Sequence, residues 1–416
     1  MEQRVVVTGM GAVTPIGNNV AEYWKALRTG KCGIDFITRF DTAEYKAKVA
    51  AEVKNFDPLM YMEKSEVRKN DLFAQYAMTA ASQAIEESGI IGKVDPFQIG
   101  TYIGSGIGGI STFADEQTNL LQNGAKKVSP FFIPKLIANI AGGIIAIKYK
   151  LKGANLPVTT ACATGNNAIG EAYRAIKHGY LQAAVAGGAE AAIVPVGVAG
   201  FSNMKALTTS EDPARASIPF DKERSGFVMG EGAGALVLES YESAVNRGAT
   251  IYAELCGYGI TCDAHHITAP SPDAEGGAAA LKMAYDEAMA LMPEGCAPEK
   301  IYINAHGTST PANDRTETLA IKKALGEDMA AKLMVSSTKS MTGHMLGAAG
   351  AVEAIACVKA IAEGIVPPTI GYKETDPECD LDYVANTARK ADIELGLSAS
   401  LGFGGHNAYV AVKKFR

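Results

Sequence analysis

The sequence lacks the cysteine spacing of a disulfide framework or of a zinc site. Its 416 residues include 7 cysteines, an odd number, and no two of them stand at CxxC spacing. In a long chain this usage is typical of a reducing compartment. Cys262 stands near His265 and His266, but this group offers no convincing set of four ligands. We therefore expect no metal site here, and no cofactor is expected elsewhere.

Long apolar runs and an excess of positive charge are missing as well. No stretch reaches the ~20 apolar residues of a membrane-spanning helix. Met1 is followed by Glu2, not by the basic and apolar segments of a secretory signal. The formal net charge is -6, whereas nucleic-acid binding depends on a basic surface. We expect a cytoplasmic protein without membrane insertion and without a nucleic-acid partner.

What the chain does contain is enough apolar material for a large interior. Hydrophobic residues make up 47% of it, and a prior of about 150 residues per domain suggests two or three units. Short runs rich in β-branched residues, such as "RVVVTGM" (4–10) and "KIYINAHG" (300–307), alternate with helical patterns. This alternation predicts an α/β fold built on buried, mostly parallel sheets.

Two passages resemble each other and indicate an internal repeat. They are "VTTACATGNNAIGEA" from Val158 and "VSSTKSMTGHMLGAAGAVEA" from Val335, in which Cys162 and Lys339 each come four residues after the valine. Glycine-rich turns also match by chance, and on these strings alone that alternative stays open. The repeat predicts a duplicated α/β core with halves at 1–250 and 251–416.

Cys162 stands where a predicted strand ends and a predicted helix begins. The apolar spacing over 169–176 is that of one buried helical face, and Gly179 is a natural helix stop. Unpaired N–H groups and the positive end of the helix dipole at such a position favour a thiolate and can hold an oxyanion. The alternative is a small buried core residue, which is the common fate of a free cysteine.

Two histidines stand at the exits of predicted strands. His306 ends "IYINAHG", and His344 precedes a helical segment that is almost free of polar side chains. A single histidine is usually a core or surface residue with a satisfied hydrogen bond, and His178 at a helix end needs no further function. Because α/β folds gather their ligands at the ends of strands, the pair predicts chemistry.

The motifs in this order resemble the β-ketoacyl-acyl carrier protein synthases of the thiolase superfamily, and among them the elongating, synthase II branch of bacterial fatty-acid synthesis. The resemblance spans nearly the whole chain. It is carried, in chain order, by "VVVTGMGAVTPIG", "TACATG", "DKERSGFVMGEGAGALVLE", "NAHGTSTPANDRTE", "KSMTGHMLGAAGAVE" and "SLGFGGHNAYVAV".

This resemblance implies a fold, a reaction and partners. The fold is a thiolase-like α/β fold whose duplicated halves form a five-layered αβαβα core, usually as a homodimer. The reaction is decarboxylative Claisen condensation of an acyl thioester with malonyl-acyl carrier protein, through an acyl-cysteine. The partners are therefore the acyl-loaded and malonyl-loaded carrier protein.

The resemblance also implies roles for individual positions. Cys162 corresponds to the nucleophile that takes the acyl chain from the carrier's phosphopantetheine thioester, and His306 and His344 to the pair that drives decarboxylation. Lys339 is similar to the family lysine behind that pair. Phe403 is similar to a mobile phenylalanine whose N–H completes the oxyanion hole; a hairpin turn explains the glycines of "GFGGHN", but not the central aromatic.

Further positions follow from the same resemblance. Asp314 and Glu317 are the implied acidic neighbours of the lysine. Thr308 and Thr310 are expected to bond the pantetheine arm, although such hydroxyls also cap turns. Ile107 is expected to line the acyl pocket, although a core isoleucine has the same sequence pattern.

Basic side chains are expected to meet an acidic helix of the carrier protein. The alternative is ordinary solvated surface charge. The carrier-docking candidates are Lys64, Arg68, Lys69, Lys126, Lys127 and Lys205.

Several rival functions remain to be weighed. The alternative of a stand-alone polyketide-type ketosynthase stays open. A non-catalytic chain-length-factor-like subunit is disfavoured, because in such proteins the nucleophile is replaced, whereas this chain retains Cys162. A degradative thiolase would be expected to have a second cysteine near the end of the chain, which is absent here. A cysteine peptidase would leave Lys339 and one of the two histidines without a function.

One position departs from the family pattern: His406 stands where many relatives have a small hydroxyl residue.

Overall fold

A computed structural model describes residues 2–416 of the chain. The strands are β1 (Val5–Val13), β2 (Asp35–Phe36), β3 (Val49–Ala50), β4 (Ile99–Gly104), β5 (Ala183–Glu190), β6 (Gly232–Ser240), β7 (Ala253–Cys262), β8 (Ile301–Asn304), β9 (Met334–Ser336), β10 (Ile365–Val366), β11 (Arg389–Lys390), β12 (Leu395–Gly402) and β13 (His406–Lys413). The helices are α1 (Val20–Arg28), α2 (Lys64–Lys69), α3 (Leu72–Ser88), α4 (Ile110–Asn123), α5 (Phe132–Leu136), α6 (Ile140–Tyr149), α7 (Thr164–Lys177), α8 (Pro195–Asn203), α9 (Tyr241–Asn246), α10 (Glu275–Ala290), α11 (Pro311–Leu325), α12 (Glu327–Ala330), α13 (Lys339–Thr342) and α14 (Ala349–Glu363).

The large sheet has the same strand pattern on both sides of its centre. Its order is β4-β5-β6-β1-β7-β13-β12-β8-β9, with β1 and β7 paired in the middle. Outward from β1 the pairs run antiparallel, antiparallel, parallel, and outward from β7 they run in the same order, followed by one additional parallel pair, β8 with β9. The expected duplication is therefore visible in the pairing.

The expectation of mostly parallel sheets is wrong. Antiparallel pairs prevail around β1 and β7, and the parallel pairs lie at the outer ends. A strand buried on both faces is apolar whichever way it runs, so its composition does not reveal the direction of its neighbour. The direction is set instead by the long connections, such as that between β5 and β6.

Helices lie outside and between the two halves of the sheet. α3 packs on β1 and β6, and α10 packs on β7 and β13. Between them, α7 contacts both β5 and β13, and α14 contacts both β6 and β12. This is the five-layered αβαβα core of a thiolase-like fold, with the expected duplicated halves.

The central helices are apolar for different reasons. α7 buries Ile169, Tyr173 and Ile176 at helical spacing and ends before Gly179, which takes a positive φ of 78°. α14 is buried nearly all round because the halves enclose it on both sides. Within residues 2–416, none of the helices combines the length and the apolar character needed to cross a membrane.

Candidate active site

Cys162 lies in a tight turn at the start of α7. A single 3-10 turn, Ala161–Ala163, precedes the helix, and Ala161 takes φ 49°, which is unusual for a residue other than glycine. Thr160 N–H donates to Thr164 Oγ1 at 2.9 Å, and Thr160 Oγ1 bonds Asn167 Oδ1 at 2.7 Å. These bonds fix the turn, so the sulfur has one defined direction.

The loop between β12 and β13 covers this turn. The Phe403 N–H lies close enough to the Cys162 sulfur to lower the pKa of its thiol. A Cβ at Gly402 would lie 2.8 Å from Thr160 O and 3.3 Å from Cys162 N, so a side chain at this position would push the loop away. The Phe403 N–H and the cysteine are thus brought together by close backbone packing.

His306 and His344 come together from two separate segments. Both are 3% exposed, and their ring centroids lie 5.2 Å apart at an interplanar angle of 86°. The N–H of His306 donates to Glu317 Oε1 at 2.7 Å, and the N–H of His344 donates to Val228 O at 2.7 Å. The backbone of each histidine is therefore fixed.

Lys339 is the buried cation beside this pair. It is 1% exposed and forms an ion pair with Glu353 at 2.5 Å. Asp314 and Glu317, the acidic neighbours that the resemblance implies, do not form this ion pair: Asp314 pairs with Arg224, and Glu317 accepts backbone N–H groups but lies close enough for Lys339 to lower its pKa. The only sequence signal for Glu353 is that it is a carboxylate inside the almost entirely apolar segment 346–362.

Burial and the lysine keep the imidazoles neutral. Burial lowers the pKa of His306 well below its usual value, and Lys339 and His344 lower it further. Burial and Lys339 also lower the pKa of His344 well below its usual value. Each ring is therefore neutral at neutral pH and offers one N–H donor and one nitrogen acceptor.

The Cys162 thiol is the resting form, which corrects the expected thiolate. Burial raises its pKa to about 12, whereas Lys339 and the Phe403 N–H act in the opposite direction. Desolvation disfavours a thiolate in an apolar site. The thiol proton must therefore leave during the attack.

A cavity of about 360 Å³ leads from the surface to the histidines. Its wall includes His306, His344 and Phe403 together with Thr308 and Thr310, whose hydroxyls lie 3.0 Å apart. Cys162 is 8% exposed and is not part of the wall, whereas Phe403, whose N–H acts on the pKa of its thiol, is part of it. Phe403 is therefore the member of this pair that faces the open cavity.

Cys162 also belongs to a buried apolar cluster. The cluster includes Ile193, Val198, Phe227 and Leu346, and nothing in the sequence distinguishes these residues from ordinary core. Ile107 is 38% exposed, so the alternative of a buried core isoleucine is wrong.

The basic candidates are all exposed. Lys64, Arg68 and Lys69 belong to α2, and Lys69 Nζ lies 5.5 Å from the centre of the Phe131 ring. Lys126 and Lys127 form an exposed turn after α4. Lys205 lies at the wall of the cavity. Among residues 2–416, no cluster of three or more His, Cys, Asp or Glu side chains is arranged to hold a metal ion.

Comparison with protein families assigns both halves of the chain. The family described as "Beta-ketoacyl synthase, N-terminal domain" matches residues 2–244, and "Beta-ketoacyl synthase, C-terminal domain" matches residues 252–373. The 3-oxoacyl-[acyl-carrier-protein] synthase 2 of Synechocystis sp. is 51% identical over 100% of this chain and 99% of its own length. The protein of the same name from Coxiella burnetii is 49% identical over 99% of each chain.

Solved structures show the same architecture. The ishigamide ketosynthase/chain length factor superposes with a TM-score of 0.92 at 37% identity over 100% of both chains. A beta-ketoacyl synthase from Burkholderia phymatum gives a TM-score of 0.90 at 33% identity, again over 100% of both. A type II polyketide ketosynthase in complex with its acyl-carrier protein, bound to the hexaketide, gives 0.89 at 32% identity over 100% of both.

Proposed function

Because the chain belongs to the beta-ketoacyl synthase family, we propose that its cavity carries out decarboxylative condensation of an acyl thioester with malonyl-acyl carrier protein. The enzyme is a 3-oxoacyl-acyl carrier protein synthase of the elongating, synthase II type. The observation that carries the proposal is a cavity whose wall holds His306, His344 and Phe403, with the Cys162 sulfur close by, because Lys339 acts on the pKa of the thiol and of both imidazoles.

In the first half-reaction Cys162 takes the acyl group. Its sulfur attacks the thioester carbonyl, and the N–H groups of Cys162 and Phe403 hold the resulting oxyanion. The thiol proton passes through a neutral imidazole of the pair to the departing carrier sulfur. The C–S bond to the carrier breaks as the new one forms, which leaves an acyl-cysteine and the carrier thiol.

In the second half-reaction the malonyl carrier loses carbon dioxide. The C–C bond to the carboxylate breaks, and its electron pair forms an enolate whose oxygen accepts hydrogen bonds from His306 and His344. Thr308 and Thr310, at the cavity wall, bond the pantetheine arm. The enolate carbon then attacks the acyl-cysteine, the sulfur leaves, and the chain is longer by two carbons.

The partners follow from the surface. The enzyme works with acyl carrier protein. The proposed docking residues are the six exposed lysine and arginine side chains named above, of which Lys205 lies at the wall of the cavity. A second copy of the chain is the proposed partner at the outer edge of β4. The free cysteines fit a cytoplasmic location.

The direct test is incubation with acyl-carrier and malonyl-carrier, followed by product mass and carbon dioxide release. Cys162→Ala should abolish acyl loading and condensation. Replacing both histidines by alanine should slow decarboxylation by at least about 10²-fold, as expected for aligned donors to an oxyanion. Normal decarboxylation in the double variant contradicts the assignment, and a polyketide product rather than a two-carbon extension favours the rival polyketide-type activity.

A further inference from the structure

Glu190 is a buried carboxylate that the reaction just described does not use. It ends β5, is 0% exposed, and accepts four hydrogen bonds. Its donors are Ser105 Oγ at 2.8 Å, Gly106 N at 2.9 Å, Ile107 N at 3.2 Å and Gly347 N at 3.1 Å. In the described part of the chain no cationic side chain forms an ion pair with it.

The four donors belong to two separate loops. Three come from the loop after β4, and one comes from the turn that links His344 to α14. A Cβ at Gly347 would lie 2.5 Å from Gly106 N and 2.9 Å from Glu190 Oε2, so the loops meet backbone to backbone at the carboxylate. Glu190 therefore joins these loops to each other and to the sheet.

Both loops continue into the apolar cluster around the nucleophile. Leu346 is a buried member of that cluster, and Ile110, just after the first loop, packs against it. A Cβ at Gly106 would lie 3.3 Å from Ala161 O, next to Cys162 in the chain. Glu190 also lies close enough to the sulfur for its charge to raise the pKa of Cys162.

We propose that Glu190 is a positioning residue of the acyl site: its carboxylate holds the 105–107 loop against Gly347 and so fixes the spacing of the apolar walls beside Cys162. This inference rests on the proposed function. A carboxylate is required because its two oxygens accept all four bonds, whereas an amide of the same size turns an NH₂ group toward at least one backbone N–H. Burial of the charge raises the pKa of Glu190 to about 7, and the four hydrogen bonds act in the opposite direction because they favour the ionised carboxylate.

The test separates acyl loading from malonyl decarboxylation. In Glu190→Gln we expect loading from a long-chain acyl carrier to fall about tenfold, with a smaller loss for a short chain, because one or more aligned bonds to the carboxylate are lost. Malonyl decarboxylation should stay within about twofold, because Glu190 does not contact the histidine rings. Ser105→Ala removes a single donor and should shift the chain-length preference in the same direction by a smaller factor.

Each outcome of these experiments either supports or overturns the proposed role of Glu190. An unchanged chain-length profile in a folded Glu190→Gln protein, or an equal loss of loading and decarboxylation, overturns the proposal. If Glu190→Gln does not fold, as judged by its thermal unfolding, then Ser105→Ala alone decides, and a wild-type profile in that variant overturns it. Failure of the proposed function is distinct, since the wild-type protein would then neither load acyl groups nor release carbon dioxide.

Discussion

At the residue scale, the protonation states of the site depend on one buried ammonium. Lys339 lowers the pKa of His306 and His344, and its own charge is balanced by Glu353. A neutral imidazole can accept the proton of a thiol, and a protonated one cannot. Lys339 therefore affects the reaction by setting the pKa of the two imidazole rings, and this effect does not require that it contact the substrate.

Replacing Lys339 by methionine should make acyl loading sensitive to acid. Removal of the positive charge moves the pKa of both rings upward, toward the ordinary value of about 6.5, so that they protonate as the pH falls. As the pH falls from about 7.5 to 6, loading by Lys339→Met should decline more steeply than loading by the wild-type protein, in which both rings stay neutral. Single-turnover loading at several pH values measures this difference.

The same variant should be less stable, because Glu353 is left buried without its partner. Breaking a buried ion pair from one side costs about 3–5 kcal/mol. The double variant Lys339→Met, Glu353→Gln is the control: it should recover much of the free energy of unfolding. A Lys339→Met protein whose loading profile matches the wild type would contradict the role of the lysine.

The sequence identifies the residues that are proposed to react, but not their buried partners. Cys162, His306 and His344 stand in strand-to-helix turns with an unusual local composition, so they can be found from the chain itself. Glu353 and Glu190 are each a single carboxylate among apolar neighbours, and their partners are far away in sequence. Which acid meets which donor depends on how the layers are stacked, which local patterns do not contain.

At the element scale, the hairpin between β12 and β13 delivers the Phe403 N–H to the cysteine. Gly404 and Gly405 take φ values of 88° and 79°, which a glycine adopts without strain. Residues 393–402 and 407–414 are recognisable as strands from their β-branched and alternating composition. The antiparallel pairing of β13 with β7 is not, because that contact joins segments at opposite ends of the C-terminal half, such as His406 and Cys262.

Gly402→Ala should slow acyl loading by disrupting this delivery. Its Cβ would press on Thr160 O and Cys162 N, so the loop must withdraw the Phe403 N–H from the sulfur. We expect a loss of about 10²-fold in the loading rate, the usual effect of losing one oxyanion donor. Mass spectrometry of the acyl-enzyme over time measures it.

Gly143→Ala provides the matched control, since a Cβ at that helical position meets no atom within 4 Å. It should load acyl groups at the wild-type rate and gain up to about 1 kcal/mol of stability from helix propensity. Equal loading rates in the two glycine variants would show that the close approach at Gly402 has no catalytic consequence.

At the scale of the whole molecule, the segments that cover the two edges of the sheet differ in exposure. At the edge of β9, Val335 N–H donates to Asp382 O at 2.9 Å, and the covering segment 381–384 is buried or half-buried. At the edge of β4, Thr101 N–H donates to Ala154 O at 2.8 Å and Leu156 N–H donates to Thr101 O at 3.0 Å, but the covering segment 153–157 is largely exposed. An exposed edge segment of this kind is normally protected by charge or by a partner.

The side chains at this edge favour a partner. Leu156 is 54% exposed and Tyr180 is 77% exposed, and both line one shallow groove. Ile147 is 67% exposed on the nearby helix α6. Grouped apolar side chains are the usual mark of an interface, whereas single ones are ordinary surface. A second copy of this chain, related by a two-fold axis, would cover both edges at once.

Leu156→Lys should therefore convert the proposed dimer to a monomer. A charge placed in the centre of a two-fold interface meets its own copy, so the repulsion acts on both partners and the association weakens. The mass in solution, from light scattering after gel filtration, measures the change. Met283→Lys is the control, because Met283 on α10 has the same exposed fraction of 54% and lies on the far side of the sheet. It should leave the mass unchanged, and a wild-type protein with the mass of a single chain would refute the proposed dimer.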